Sequence, residues 1–382
     1  MKKRWMDYQQ DFLMGLLRPF AYLWMRKDMK RIVHRDPNFS FRRNEPYVMI
    51  ANHTFLFDVI HVPLRLKKVP FIIGSQTLFA QKASRFMVTK VAHVIKKSKS
   101  ATDTQTVREI IHAVKRGYPI LIFPEGDTTF YGQTNYIEPS TFKLIKKLGI
   151  DCVTCKVKGG YLSKPRWATS KRKNRHIELF YEVTIPKEQI KDLSVNEIEE
   201  IITKKLYHND YDYQREAMIK HPGDKLAEGL ENVCYVCPMC QSLHTIETKG
   251  NEISCRACQH KGFVDDYGFI QNFKFDNLVD WDAYQKTFEK ELHQSTFQTS
   301  GALHEVIMAK KEQNLIGQID MVYKDETFII RGAKSLDIPL KEISEPTITL
   351  LRDFGFIFND QHYILKLDRY SAAVIRVSQT KY

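Results

Sequence analysis

Residues 47–60, YVMIANHTFLFDVI, open as an apolar run and then set an imidazole (His53) and a carboxylate (Asp58) five positions apart among apolar neighbours. A short continuous apolar run closed by Asn52 reads as a buried strand of a sheet covered on both faces. Three further runs of the same kind follow: VPFIIGS (69–75), YPILIF (118–123) and DCVTCKV (151–157). Between them lie amphipathic helical patterns, TVREIIHAVKRG (106–117) and STFKLIKKLG (140–149), each with basic residues in its last turn and a closing glycine. RHIELFYEVTIP (175–186) adds a strand, and Ser194-x-x-Glu197 in SVNEIEEIITKKLY is a capping box that starts a helix. Strands alternating with helices predict an α/β unit, a mixed sheet flanked by helices, over residues 35–228.

Five residues along a continuous helix separate two side chains by about 140 degrees. His53 and Asp58 therefore meet only if His53 lies on the turn that enters the helix. A carboxylate bound to one ring nitrogen fixes the tautomer and leaves the other nitrogen free as a general base, which activates a hydroxyl. A second signal lies in ILIFPEGDTTFYG (120–132), where Glu125 sits on a Pro/Gly-bounded turn at the end of a buried strand. Ligands bind beyond the carboxyl ends of strands in α/β sheets, so both turns are expected at one cleft.

With these residues in hand, the chain resembles the glycerolipid acyltransferase family, typified by 1-acylglycerol-3-phosphate acyltransferases, over roughly residues 35–205. The shared features are His53-x4-Asp58 and Phe123-Pro124-Glu125-Gly126 in order and at similar separation. The resemblance implies an α/β fold with both motifs on one groove. It implies acyl transfer from a thioester of coenzyme A or acyl carrier protein to a lysophospholipid hydroxyl, with 1-acyl-sn-glycerol 3-phosphate as the foremost acceptor and phosphatidic acid as product. His53 and Asp58 would be the base pair, Glu125 would hold the acceptor, and Gly126 would let backbone approach it; no acyl-enzyme is required. The family's phosphate-binding arginine has no counterpart in VAHVIKKSKS (91–100), which leaves Lys96, Lys97 or Lys99 for that role. Asp127 and Thr128 also depart from the family's Thr-Arg, which leaves other lysolipids or alcohols open as acceptors. KGGYLSKPRW (158–167) offers Arg166 as a further phosphate contact, and SKRKNRH (170–176) is a basic loop.

Cys237-x-x-Cys240 and Cys255-x-x-Cys258, joined across a Gly250-Asn251 turn, predict a zinc ribbon over 229–265. Its four thiolates leave no open position on the metal, so the zinc is structural. Cys234, three residues before Cys237, reads as an apolar extra or an alternative ligand, and Cys152 and Cys155 as core residues. Residues 266–382 change to alternating segments (LIGQIDMVY, ETFIIRG, PTITLL, FGFIF, HYILKL), a small antiparallel β domain like a barrel or a pleckstrin-homology sheet.

In residues 1–34, Trp5, Phe12, Leu13, Leu16, Leu17, Phe20, Leu23 and Trp24 recur at near-helical spacing between basic flanks. Arg18 and Pro19 interrupt a stretch already too short to span a bilayer. The pattern suits either a core helix or a helix lying in the headgroup layer, and the second reading places the protein peripherally on the cytoplasmic face of the membrane. The net charge of +13 implies attraction to an anionic surface or substrate. A nucleic-acid-binding ribbon protein is the rival of a different class; it is disfavoured because the ribbon is not strongly basic and the charge is spread over the α/β unit. A catalytically silent scaffold is the third reading.

Overall fold

The computed structural model describes residues 4–75, 90–97, 104–307, 312–349 and 352–379. The chain divides into two compact units, one of residues 1–163 with 174–217, the other of residues 164–173 with 218–382. Residues 218–228, read from sequence as the tail of the α/β unit, therefore pack with the second unit, as does the loop 164–173.

Among the described residues the first unit is built on a seven-stranded sheet: β1 (Lys30–Arg35), β2 (Val48–Ala51), β3 (Phe71–Ser75), β4 (Val94–Lys97), β5 (Ile120–Ile122), β6 (Cys152–Lys158) and β7 (His176–Ile185). Their order is β1-β7-β6-β2-β5-β3-β4. The five strands from β6 to β4 run parallel, so their carboxyl ends share one edge. β7 is antiparallel to β6, and β1 lies parallel to β7; the sheet is mixed, as expected.

Side-chain alternation explains why β2 reads as apolar throughout. Val48 and Ile50 join one core with Ile120, Ile122, Phe142 and Ile198, while Met49 and Ala51 join the opposite core with Leu121, Val153, Val157 and Tyr181. The same alternation sends Cys152 and Cys155 to opposite faces, both buried. The helices Ser140–Leu148 and Val195–Leu206 start where the sequence predicts, and Thr104–Lys115 begins two residues before the pattern read from sequence. Gly117 and Gly149 take left-handed conformations, and Ser194 and Glu197 cap each other reciprocally.

The N-terminal helix, Trp5–Asp28, is continuous through Pro19 and packs the wrong way round for a core helix. Its polar side faces the domain. Asp7 pairs with buried Arg116 (Nε–Oδ2 2.8 Å), Gln10 donates to the Ala92 carbonyl, and Asp11 binds His93 Nε2 (2.9 Å) and the Tyr118 hydroxyl (2.6 Å). Arg18 donates to the carbonyls of Leu64 and Leu66. Outward stand Trp5, Phe12, Leu16, Phe20, Leu23 and Trp24, each more than half exposed. No described helix is long and apolar enough to cross a membrane.

In the second unit, four short antiparallel strands, β8 (Ile246–Lys249), β9 (Glu252–Cys255), β10 (Lys261–Val264) and β11 (Ile270–Gln271), make the ribbon. Among the described residues seven more, β12 (Phe297–Ile307), β13 (Glu312–Lys324), β14 (Thr327–Gly332), β15 (Leu336–Pro339), β16 (Ser344–Thr349), β17 (Asp353–Phe358) and β18 (Gln361–Leu367), form an antiparallel sheet ordered β15-β14-β13-β12-β18-β17-β16, followed by the helix Ser371–Gln379. Ribbon and sheet share one body. The Trp281 indole donates to Val236 O (2.9 Å), and the Tyr370 hydroxyl donates to His244 O (3.3 Å).

Candidate functional site

β2 ends at Ala51, and the chain must turn there. Asn52, buried at the turn, closes it by exchanging two hydrogen bonds with the Val157 backbone of β6 (2.9 and 2.7 Å), continuing the parallel ladder with a side chain. Residues 53–57 then wrap around a carboxylate. Asp58 opens the short helix Asp58–His61, fully buried, and its Oδ2 accepts from Thr54 N (2.6 Å), Phe55 N (3.0 Å), Thr54 Oγ1 (3.2 Å) and His53 Nδ1 (3.3 Å). Burial pushes the Asp58 carboxyl above its ordinary range, and the imidazole and the two backbone N–H groups pull the other way. Four donors converging on one oxygen suit an acceptor-only carboxylate. Nδ1 is thereby committed, and Nε2 carries the free lone pair. His53 reaches this geometry from the loop, with Asp58 at the first residue of the helix.

On the neighbouring strand, β5 leads into Phe123-Pro124-Glu125-Gly126. The Phe123 ring lies against His53 (centroids 4.5 Å apart). Glu125 has both oxygens engaged by the protein itself: Oε1 accepts from His53 N (2.7 Å) and Oε2 from Asn135 N (2.6 Å). It ties the His53 loop to the 129–135 segment. Burial raises its carboxyl to about 8, against the pull of the two N–H donors. Thr129 N donates to His53 O (3.0 Å), a second tie between the same loops. Gly126 is a glycine for its conformation, φ +75°, because a Cβ there would meet no protein atom within 4 Å.

The remaining expected contacts are dispersed. Lys96, exposed, is the penultimate residue of β4, at the same edge of the sheet as His53 and Glu125, two strands beyond β5 and so roughly 10 Å along the sheet. Lys97 follows it on the strand, and Lys99 lies outside the described residues. Arg166 belongs to the second unit, buried, with Nη2 donating to Ile348 O (2.6 Å). One of its donors is thereby engaged within the second unit. Sequence reasoning missed Asn52 and the outer half of the Glu125 tie, since partners 105 and 10 residues away leave no local pattern.

The second unit holds the other constellation. The sulfurs of Cys237, Cys240, Cys255 and Cys258 all lie within 4.8 Å of one another, with Cys240–Cys255 at 3.7 Å and Cys237–Cys258 at 4.0 Å. A tetrahedron of thiolates about 2.3 Å from zinc has edges of about 3.8 Å, whereas a disulfide would close to about 2.05 Å. The residues fit a four-sulfur metal site. Cys234 is buried outside this group.

Residues 32–158 match the model of the family described as Acyltransferase. No curated protein sequence matches the chain. Among solved structures, it is similar to the 1-acyl-sn-glycerophosphate (LPA) acyltransferase PlsC from Thermotoga maritima, at 15% identity and a TM-score of 0.44, over 55% of this chain and 82% of that one.

Proposed function

We propose that the chain, whose residues 32–158 are an acyltransferase-family domain, moves a fatty acyl group from acyl-CoA or acyl carrier protein to the free hydroxyl of a lysophospholipid. 1-Acyl-sn-glycerol 3-phosphate is the acceptor the motifs favour, with phosphatidic acid as product. The observation that carries the reading is the His53–Asp58 pair, locked in one tautomer beside Phe123 and bolted by Glu125 to the neighbouring strand end.

In this mechanism His53 Nε2 takes the acceptor's hydroxyl proton as the oxygen attacks the thioester carbonyl. Asp58 supports the imidazolium that forms. Collapse of the tetrahedral intermediate breaks the carbon–sulfur bond, and the imidazolium returns its proton to the departing thiolate. Ester and free thiol result, with no covalent enzyme intermediate. Lys96 and Lys97, at the same strand-end edge, are the proposed phosphate contacts; lysine acts there as a point charge.

A membrane surface is the proposed partner. The outward apolar face of the N-terminal helix supports this reading, as does its continuity with the site: Trp24 stands edge-on to Phe57 (5.6 Å), beside half-exposed Leu56, inside the His53–Asp58 loop. Bound zinc would hold the ribbon through its four thiolates and supply folding energy only.

The test is a panel of lysolipids offered on vesicles with acyl-CoA and acyl carrier protein to the purified protein. Phosphatidic acid formed from lysophosphatidate is expected; no ester with any acceptor would remove the enzymatic reading. Deletion of residues 1–28 is expected to abolish vesicle flotation while leaving zinc content unchanged.

A further inference from the structure

The turn that follows β6 presses on the base pair. A Cβ added at Gly160 would come within 2.2 Å of Thr54 Oγ1 and 2.8 Å of the Phe55 ring. These two residues supply three of the donors on Asp58. Whatever fixes this turn therefore fixes the cage around the carboxylate that orients His53.

What fixes it is Asp210, some fifty residues past the end of the family match. Fully buried, Asp210 accepts from Gly159 N (2.7 Å) and Leu162 N (2.9 Å), one bond to each side of Gly160, and His208 Nε2 closes on the same carboxylate (2.6 Å). The same short segment braces the other wall. Asp210 N donates to Gly132 O (2.8 Å), while Thr134 N and His208 O bond at 2.9 Å, as do His208 N and Thr134 Oγ1. Next to Thr134 is Asn135, whose N–H grips Glu125, which in turn grips His53 N.

Resting on the acyltransferase reading, we infer that Asp210, with His208, is a positioning residue of the site: it clamps the Gly159–Leu162 turn against Thr54–Phe55 and, through 132–135, the Glu125 tie. A buried carboxylate here does more than hold the fold. It sets how tightly Asp58 is caged, and Asp58 sets the orientation and basicity of His53. Three carboxyls are grouped at these loops, Asp58, Glu125 and Asp127, so loosening one wall changes the field at the imidazole.

The experiment follows His53 by NMR in protein labelled at the histidine ring carbons, its signal identified by its loss in His53→Gln, in wild type, Asp210→Asn and Gly160→Ala. Asp210→Asn replaces one acceptor by an amide that faces an N–H, and Gly160→Ala pushes on Thr54 from the other side. Both are expected to move the His53 titration midpoint by at least half a pH unit. With substrate, kcat is expected to fall roughly tenfold or more, with KM for both substrates changing less than twofold. Asp212→Asn, two residues away on an exposed face, is the control and should match wild type. An unchanged His53 titration in a folded Asp210→Asn or Gly160→Ala protein overturns the inference. So does activity lost only in proportion to folded protein. The titration needs no substrate, so a wild type without acyl transfer sinks the functional reading while leaving this inference to be decided on the NMR alone.

Discussion

The two constellations of this chain gather their side chains by opposite means. In the ribbon, four thiols lie within one stretch of 22 residues, and their sulfurs converge at spacings that fit a four-sulfur metal site. In the α/β unit, the His53–Asp58 loop and the Glu125–Asn135 segment come from neighbouring strand ends, and both carboxyls are held by the protein's own backbone N–H groups. The first site, read as a metal centre, would draw its folding energy from the ion. The second needs a large core to exist, because its members meet only after parallel strands have aligned. Local spacing is therefore enough to read the ribbon from sequence, while the His53 site depends on contacts that sequence distance conceals.

The sharpest way to break this comparison is to remove the metal. Zinc-ribbon folding draws on a binding free energy of about 10 kcal/mol or more, so strong chelation, or Cys237→Ser with Cys255→Ser, is expected to expose residues 237–258 to protease. Metal analysis should give one zinc per chain. A wild-type proteolysis pattern after chelation would mean the ribbon stands without it.

Next in size is the tie through Glu125. Its replacement by Gln puts an amide N–H₂ against a backbone N–H and frees one loop. A loss of about 1–3 kcal/mol in stability is expected in thermal unfolding, together with about a hundredfold loss of kcat. A kcat near wild type would assign Glu125 no part in holding His53.

Smaller still is a pH effect confined to the second unit. Burial pulls His244 down to about 4, so the folded state favours the neutral ring. The ordinary value is about 6.5; the stability this ring contributes is present above that pH and is lost as pH falls towards 4. Zinc-loaded His244→Gln should lose stability less steeply across that window, by a few degrees in Tm. Parallel slopes would show that another group carries the acid sensitivity.

Much of the fold was legible for reasons the structure makes plain. β2, β5 and the first half of β6 are buried on both faces, so their sequences are nearly continuous apolar runs. β1, KRIVHR, was missed because it is an edge strand with charged exposed positions, and β4, VIKK, because four residues ending in lysines carry too little pattern. The N-terminal helix shows a limit of periodicity: spacing announced an amphipathic helix, but not that Asp7, Gln10 and Asp11 would face inward. Motif and resemblance named His53, Asp58 and Glu125. Asn52 and Asp210 stayed silent because hydrogen bonds to distant backbone leave no trace in spacing, and the bond of Arg166 to the Ile348 carbonyl is equally invisible there.

One measurement bears most directly on the claim that a caged imidazole activates the acceptor hydroxyl: the rate at which saturating acyl-CoA is consumed on lysophosphatidate vesicles by wild type and by His53→Ala, at matched zinc content and Tm. Thiol release matched one for one by phosphatidic acid in wild type, and a rate at least about a thousandfold lower in the variant, is the predicted result. Equal rates from the two proteins would contradict the account.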